Sequence, residues 1–125
     1  MIRGVVTARY EAVIRIIVIG TTGQRESIHA IVDTGFDGWL SLPRSLINEL
    51  EFPWHRRGLA LLADGSESGF DIHKGTILWN RKRRRISIDA CDTTPLVGMR
   101  LLDGYELLLP VRKQSRFLIR PISPE

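Results

Sequence analysis

The sequence predicts an all-β fold with one or two short helices. Three observations predict it. Segments rich in β-branched residues recur along the chain, each bounded by Gly, Asn or Asp turn signals. Helical patterning is confined to two brief stretches. A chain of 125 residues, with 43% hydrophobic and 26% charged side chains, has the size and composition of one ordinary globular domain. We take residues 1–125 as that domain, with its core over about residues 10–119.

The elements follow in order. Residues 10–19 read as the first strand and end at Gly20-Thr21-Thr22-Gly23, a hairpin turn. Residues 26–33 return as the second; alternation puts His29, Ile31 and Asp33 on one side and Ala30 and Val32 on the other. Leu40-Ser41-Leu42 is a short extended piece. Residues 43–50 read as a helix, because Pro43 suits a first turn and Leu46, Ile47 and Leu50 share a face. Residues 58–63 form a third strand, followed by the polar turn Asp64-Gly65-Ser66-Glu67-Ser68-Gly69. Residues 70–79 and 85–90 make a further pair. Leu96-Val97-Gly98 leads into a helical turn at 99–103, stopped by Gly104. Residues 105–111 and 116–119 are the last strands, and 121–125 are expected to fray.

Charge and composition narrow the function classes. The net charge of +4 is largely local, in Arg81-Lys82-Arg83-Arg84-Arg85. Asn80 precedes this run and apolar strands flank it, so it reads as a solvated hairpin tip rather than a nucleic-acid surface. Trp39, Trp54 and Trp79 read as core or interface packing, since no basic-aromatic interleaving surrounds them. The single cysteine, Cys91, excludes an intrachain disulfide and reads as a small buried hydrophobe. No apolar run approaches the roughly 18 to 20 residues that span a bilayer, and the N-terminus has no signal-type apolar region. The reading is a cytoplasmic protein with no membrane partner. His29, His55 and His73 are scattered; His29 shares a face with Asp33, but two residues do not make a metal site, and no cofactor is expected.

The chemistry points to Asp33-Thr34-Gly35. An apolar segment, Ile28-His29-Ala30-Ile31-Val32, delivers this carboxylate into a tight glycine-containing turn. Burial opposes the charge of such a group unless partners offset it, which makes it a candidate acid/base catalyst.

Three separated motifs agree with it. They are Ala30-Ile31-Val32-Asp33-Thr34-Gly35-Phe36, then Leu62-Ala63-Asp64-Gly65, then Pro95-Leu96-Val97-Gly98-Met99 with Leu101-Leu102. Together they resemble the retropepsin-like aspartic proteases, in their small bacterial single-domain form. The resemblance implies a closed-barrel-like acid-protease domain, active as a symmetric homodimer, because one triplet supplies one of the two carboxyls required. It implies an endopeptidase acting on peptide or protein substrates without metal or cofactor. Catalytic roles then fall to Asp33, Thr34 and Gly35: the acid, a hydroxyl bonding across the dimer axis, and a residue with no Cβ beside the carboxylates. Phe36 and Asp37 would contact substrate, Asp37 through the peptide backbone. Asp64, Gly65 and Ser66 would belong to a flap closing over the peptide. Retroviral members place Arg directly after the Leu-Val-Gly glycine, whereas here Met99 intervenes, so Arg100 either pairs with Asp37 or faces solvent. Two other readings stand beside this one: a retropepsin-fold dimer that binds peptide without turnover, and a basic β-domain using residues 81–85 on nucleic acid.

Overall fold

The computed structural model describes residues 1–123. Ten strands and two short helices follow the chain order β1 (Ile2–Val6), β2 (Ala12–Ile19), β3 (Arg25–Val32), β4 (Leu40–Leu42), α1 (Arg44–Glu49), β5 (Trp54–Leu61), β6 (Glu67–Trp79), β7 (Lys82–Ala90), β8 (Leu96–Val97), α2 (Met99–Leu102), β9 (Tyr105–Leu108) and β10 (Arg116–Pro121). The strands form one sheet in the order β5-β6-β7-β4-β8-β3-β2-β1-β10-β9, and an added β2–β6 pairing bends it back on itself. The result is a ring of β2, β3, β8, β4, β7 and β6. Beyond the ring, β5 continues the sheet from β6, and β1, β10 and β9 continue it from β2.

Alternation fills the ring. In β2, Ile14, Ile16 and Val18 turn inward. Ala30 from β3, Leu40 and Leu42 from β4, and Ile86 and Ile88 from β7 meet them, and all are essentially inaccessible to water. Ile47 and Leu50 bring α1 onto this core, while Leu101 and Leu102 do the same for α2. Gly104, at φ 87°, ends α2 as the sequence requires.

Several sequence expectations need correction. β1 lies outside the expected core, yet it pairs with both β10 and β2. Gly4 at its centre is required there: a Cβ would stand 2.2 Å from the Phe117 ring and 2.6 Å from the Val13 carbonyl. β5 begins at Trp54 rather than 58, with a register irregularity between Trp54 and Arg56. Glu67, Ser68 and Gly69 are strand, not turn, because Leu61, Ala60 and Leu59 pair with them. The basic run is mostly strand as well. Asn80 and Arg81 alone turn, both at positive φ, while Lys82 to Arg85 pair with β6. Cys91 is exposed: Ile86, Ile88 and Ala90 take the inward positions of β7, so the next side chain points out. Trp54 is exposed too, its indole N–H donating to Asp71 at 3.1 Å, whereas Trp79 is core. Pro121 is not frayed but paired with Tyr105; Pro124 and Glu125 lie outside the described residues. Among the described residues no helix is long and apolar enough to cross a membrane.

Candidate active site

Asp33 leaves the end of β3 directly beside β8. Ile31 and Val32 pair in parallel with Leu96 and Val97, and the Asp33 N–H donates to the Val97 carbonyl at 2.9 Å. The backbone then turns. The Phe36 N–H donates to the Asp33 carbonyl, and the Gly35 N–H donates to Asp33 Oδ1 at 2.9 Å. The half-buried carboxyl is therefore oriented by its own turn, with Oδ1 held by a backbone donor.

The turn is clamped from behind by the segment that begins α2. Gly98 donates to the Trp39 carbonyl at 3.0 Å, Met99 to Phe36 at 2.8 Å and Arg100 to Gly38 at 3.1 Å, all through backbone N–H groups. Gly98 is a steric necessity, since a Cβ there would stand 2.2 Å from the Gly38 carbonyl oxygen. Arg100 faces solvent, as one of the two alternatives has it, and among the described residues forms no ion pair with the Asp37 carboxyl. Its Nε–H donates to the Asp37 backbone carbonyl at 3.0 Å, and the residue remains exposed. One buried polar side chain braces the floor: Ser41 Oγ accepts from the Leu96 N–H at 3.0 Å, tying β4 to β8.

Opposite the turn stands the β5–β6 hairpin. Leu62 and Ser66 close its end, Gly65 turns it at φ 85°, and Asp64 Oδ1 accepts from the Ser66 N–H and Oγ. The Ser66 hydroxyl, with its N–H, holds the fully exposed Asp64 carboxyl below the usual range. Asp64, Gly65 and Ser66 thus form the tip. Lower down, Asp71 on β6 accepts from Trp54 and from Arg57, both on β5, each at 3.1 Å. The Trp54 indole, then Arg57, lowers the Asp71 pKa.

Hairpin and turn enclose a groove of about 630 Å³, with Gly35, Phe36 and Asp37 on the floor and Leu59, Leu61, Leu62 and Phe70 above. A second hollow, of about 810 Å³, opens on the other side of the turn, between Thr34, Met99, Leu102, Tyr105, Leu107 and Ile122. Thr34 lines this hollow, Gly35 and Phe36 line the groove, and Asp37 lines both. Sequence reasoning did not find the hairpin-arm leucines or Asp89, a half-buried carboxyl of β7 that also lines the groove. Burial raises the Asp89 pKa to about 6; Arg56 pulls it down and Asp37 pushes it up. An acid in an alternating strand reads as solvent-facing, and nothing local marks it otherwise.

No family model and no curated protein matches the chain. Among solved structures, the crystal structure of a retropepsin-like aspartic protease from Rickettsia conorii matches 98% of this chain and 91% of its own, with a TM-score of 0.61 at 16% sequence identity. The chain therefore has the retropepsin-like aspartic protease fold.

Proposed function

We propose that the protein is an aspartic endopeptidase whose active unit is a symmetric homodimer, each copy contributing one Asp33. The observation that carries this reading is the placement of Asp33: a backbone-oriented carboxyl on a clamped turn whose next residues, Gly35, Phe36 and Asp37, line a groove faced by the β5–β6 hairpin, on the retropepsin-like fold. A second copy would fill the hollow lined by Thr34, whose exposed hydroxyl bonds to nothing among the described residues and would bond across the two-fold axis. Residues 1–125 act as one protease domain.

The chemistry follows from two like charges brought together. Carboxyls roughly 3 Å apart cannot both ionise, so they share one proton, as in aspartic proteases generally. The ionised partner takes a proton from a water held between them. The protonated partner polarises the scissile carbonyl, water adds, and the pair then protonates the leaving nitrogen. The pair titrates as a unit, and its two pKa values belong to neither copy alone. The reaction so written passes through no covalent intermediate and uses no metal or cofactor. Gly35, lacking a side chain, leaves the floor open; a Cβ would stand 3.2 Å from Asp33 Oδ1. Phe36 and Asp37 contact an extended peptide, and the tip at Asp64, Gly65 and Ser66 closes over it.

Asp33→Asn is the test. It removes the charge but not the shape, and turnover of a peptide library is expected to fall at least about 10³-fold while sedimentation still reports a dimer. Unchanged turnover in this variant would refute the assignment. So would a dimer structure whose Asp33 carboxyls lie too far apart to hold one water.

A further inference from the structure

We propose that Asp89, with Asp37 beside it, forms an acidic subsite in the groove that takes a lysine or arginine side chain of the bound peptide. The proposal rests on the peptide-hydrolysis reading and names a class of substrate for it.

Geometry gives the first argument. Gly38 has no side chain, and Asp89 Oδ2 lies 3.3 Å from where its Cβ would stand. The β7 carboxyl thus fills a space in the floor that residue 38 leaves empty. It reaches the groove on the strand face opposite Ile88 and Ala90, which are core. Asp37 lines the same groove.

The rest of the lining gives the second. Phe36 and Leu96 on the floor and Phe70 from β6 give the groove apolar lining, while the Gly58–Phe70 pairing turns the exposed Leu59 and Leu61 of β5 to the other face of the hairpin. Lys and Arg carry a long apolar stem and a charged head. This groove offers apolar walls to the stem and two carboxyls to the head, and among the described residues no cation lines it.

Among the described residues neither acid has a close counter-charge. Arg56 from β5 and Arg100 from α2 share with Asp37 and Asp89 a smaller hollow of about 220 Å³. Among the described residues, however, neither carboxyl forms an ion pair within 4.0 Å or accepts a hydrogen bond; Arg100 is committed to the Asp37 backbone carbonyl. Burial disfavours the charged form of Asp89, opposed by Arg56 and aided by Asp37, so its pKa stands at about 6. A half-buried carboxylate held without a close counter-charge gains more from an incoming cation than a solvated one does.

The test uses peptide pairs identical except for lysine or its uncharged isostere norleucine, with that position scanned along the sequence. At about pH 7.5 the wild-type protein is expected to cleave the best lysine peptide about tenfold faster, by kcat/KM, than its norleucine twin. Asp89→Asn, nearly identical in shape, should bring the ratio close to one, and Asp89→Glu should keep a preference for lysine. In the wild type the ratio should also fall as pH drops through about 6, where Asp89 takes a proton while the peptide lysine stays charged. Taking a ratio cancels the pH dependence of the catalytic pair and any general loss of active protein. A preference for norleucine, or a lysine preference that survives Asp89→Asn, overturns the proposal. Anisotropy measurements of the same peptides on the Asp33→Asn protein separate this failure from that of the hydrolysis reading. Lysine-selective binding with no wild-type turnover upholds the subsite and sinks hydrolysis. Turnover without selectivity sinks the subsite alone, and neither turnover nor binding sinks both.

Discussion

Residues 33–39 and the hairpin 54–79 face each other across one groove, and they are constrained in opposite ways. The turn is tied by backbone hydrogen bonds to a segment distant in sequence: Val97, Gly98, Met99 and Arg100 all bond to it. The two segments lie so close that a Cβ on Gly98 would stand 2.2 Å from the Gly38 carbonyl oxygen. Among the described residues the upper hairpin, residues 58–70, is hydrogen-bonded only to itself, through the β5–β6 ladder and the closing bonds at Leu62, Gly65 and Ser66. Its leucines lie outside the buried core: Leu59, Leu61 and Leu62 are exposed. The difference fits two tasks. A carboxyl that must meet its twin needs a fixed position, and a cover that must admit a peptide needs a low cost of opening.

Gly98→Ala should give the largest effect, because it attacks the clamp. Its Cβ would lie 2.2 Å from the Gly38 carbonyl and 2.7 Å from the Phe36 ring, and backbone cannot yield as a side-chain tip can. We expect a loss of about 3 kcal/mol in urea unfolding, with loss of turnover as the Asp33 turn is pushed aside. A variant as stable and active as the wild type would show that the turn is not fixed by this contact.

Asp89 lies where the two regions meet, since Arg56 of the hairpin arm and Asp37 of the turn both act on it. Its pKa in the folded chain, about 6, stands above the ordinary 3.8. The fold therefore binds this proton more tightly than the unfolded chain does. The resulting stability is fully present below about pH 3.8 and is lost as pH rises through about 6. Asp89→Asn removes the titration and keeps the shape. At about pH 8 it should be more stable than the wild type by about 1 kcal/mol, a value reduced for the solvent that still reaches the carboxyl. The difference should vanish below about pH 4. Denaturant titrations of both proteins across this range check it, and a variant less stable at high pH would mean that Arg56 outweighs burial.

The same contrast governs how much was legible in the sequence. The turn was readable because its signals are local: a β-branched strand, then Asp33-Thr34-Gly35, then Leu96-Val97-Gly98 at a distance that lets the two segments lie parallel. So were α1 and the end of α2, where Pro43 and Gly104 act within a single turn of chain. What escaped depends on partners far along the chain. Gly4 argues against a strand until Phe117 of β10 is seen to need its missing side chain. Ser68 and Gly69 spell a turn until Ala60 and Leu59 pair with them. Asp89 reads as a solvent-facing acid until β7, paired with β4, is carried beneath the hairpin.

Gly65→Ala probes the free side of the comparison and should have the smallest effect on stability. Nothing lies within 4 Å of its would-be Cβ, so no packing is disturbed. The penalty is the left-handed backbone alone, φ 85°, worth about 1 kcal/mol. That strain is confined to a tip that opens without unfolding the ring, so global unfolding should register less than the full amount. Cleavage should register it instead, as a several-fold fall in kcat/KM, because closing the tip over peptide requires the turn that Ala resists. The informative quantity is the ratio between the two glycine variants. If Gly65→Ala destabilises the fold as much as Gly98→Ala, the hairpin is bound into the core more firmly than its exposed leucines imply. If it leaves both stability and turnover untouched, closure does not depend on the shape of the tip, and the work of covering the peptide falls to the arm of the hairpin, on the face that carries Ala60 and Phe70.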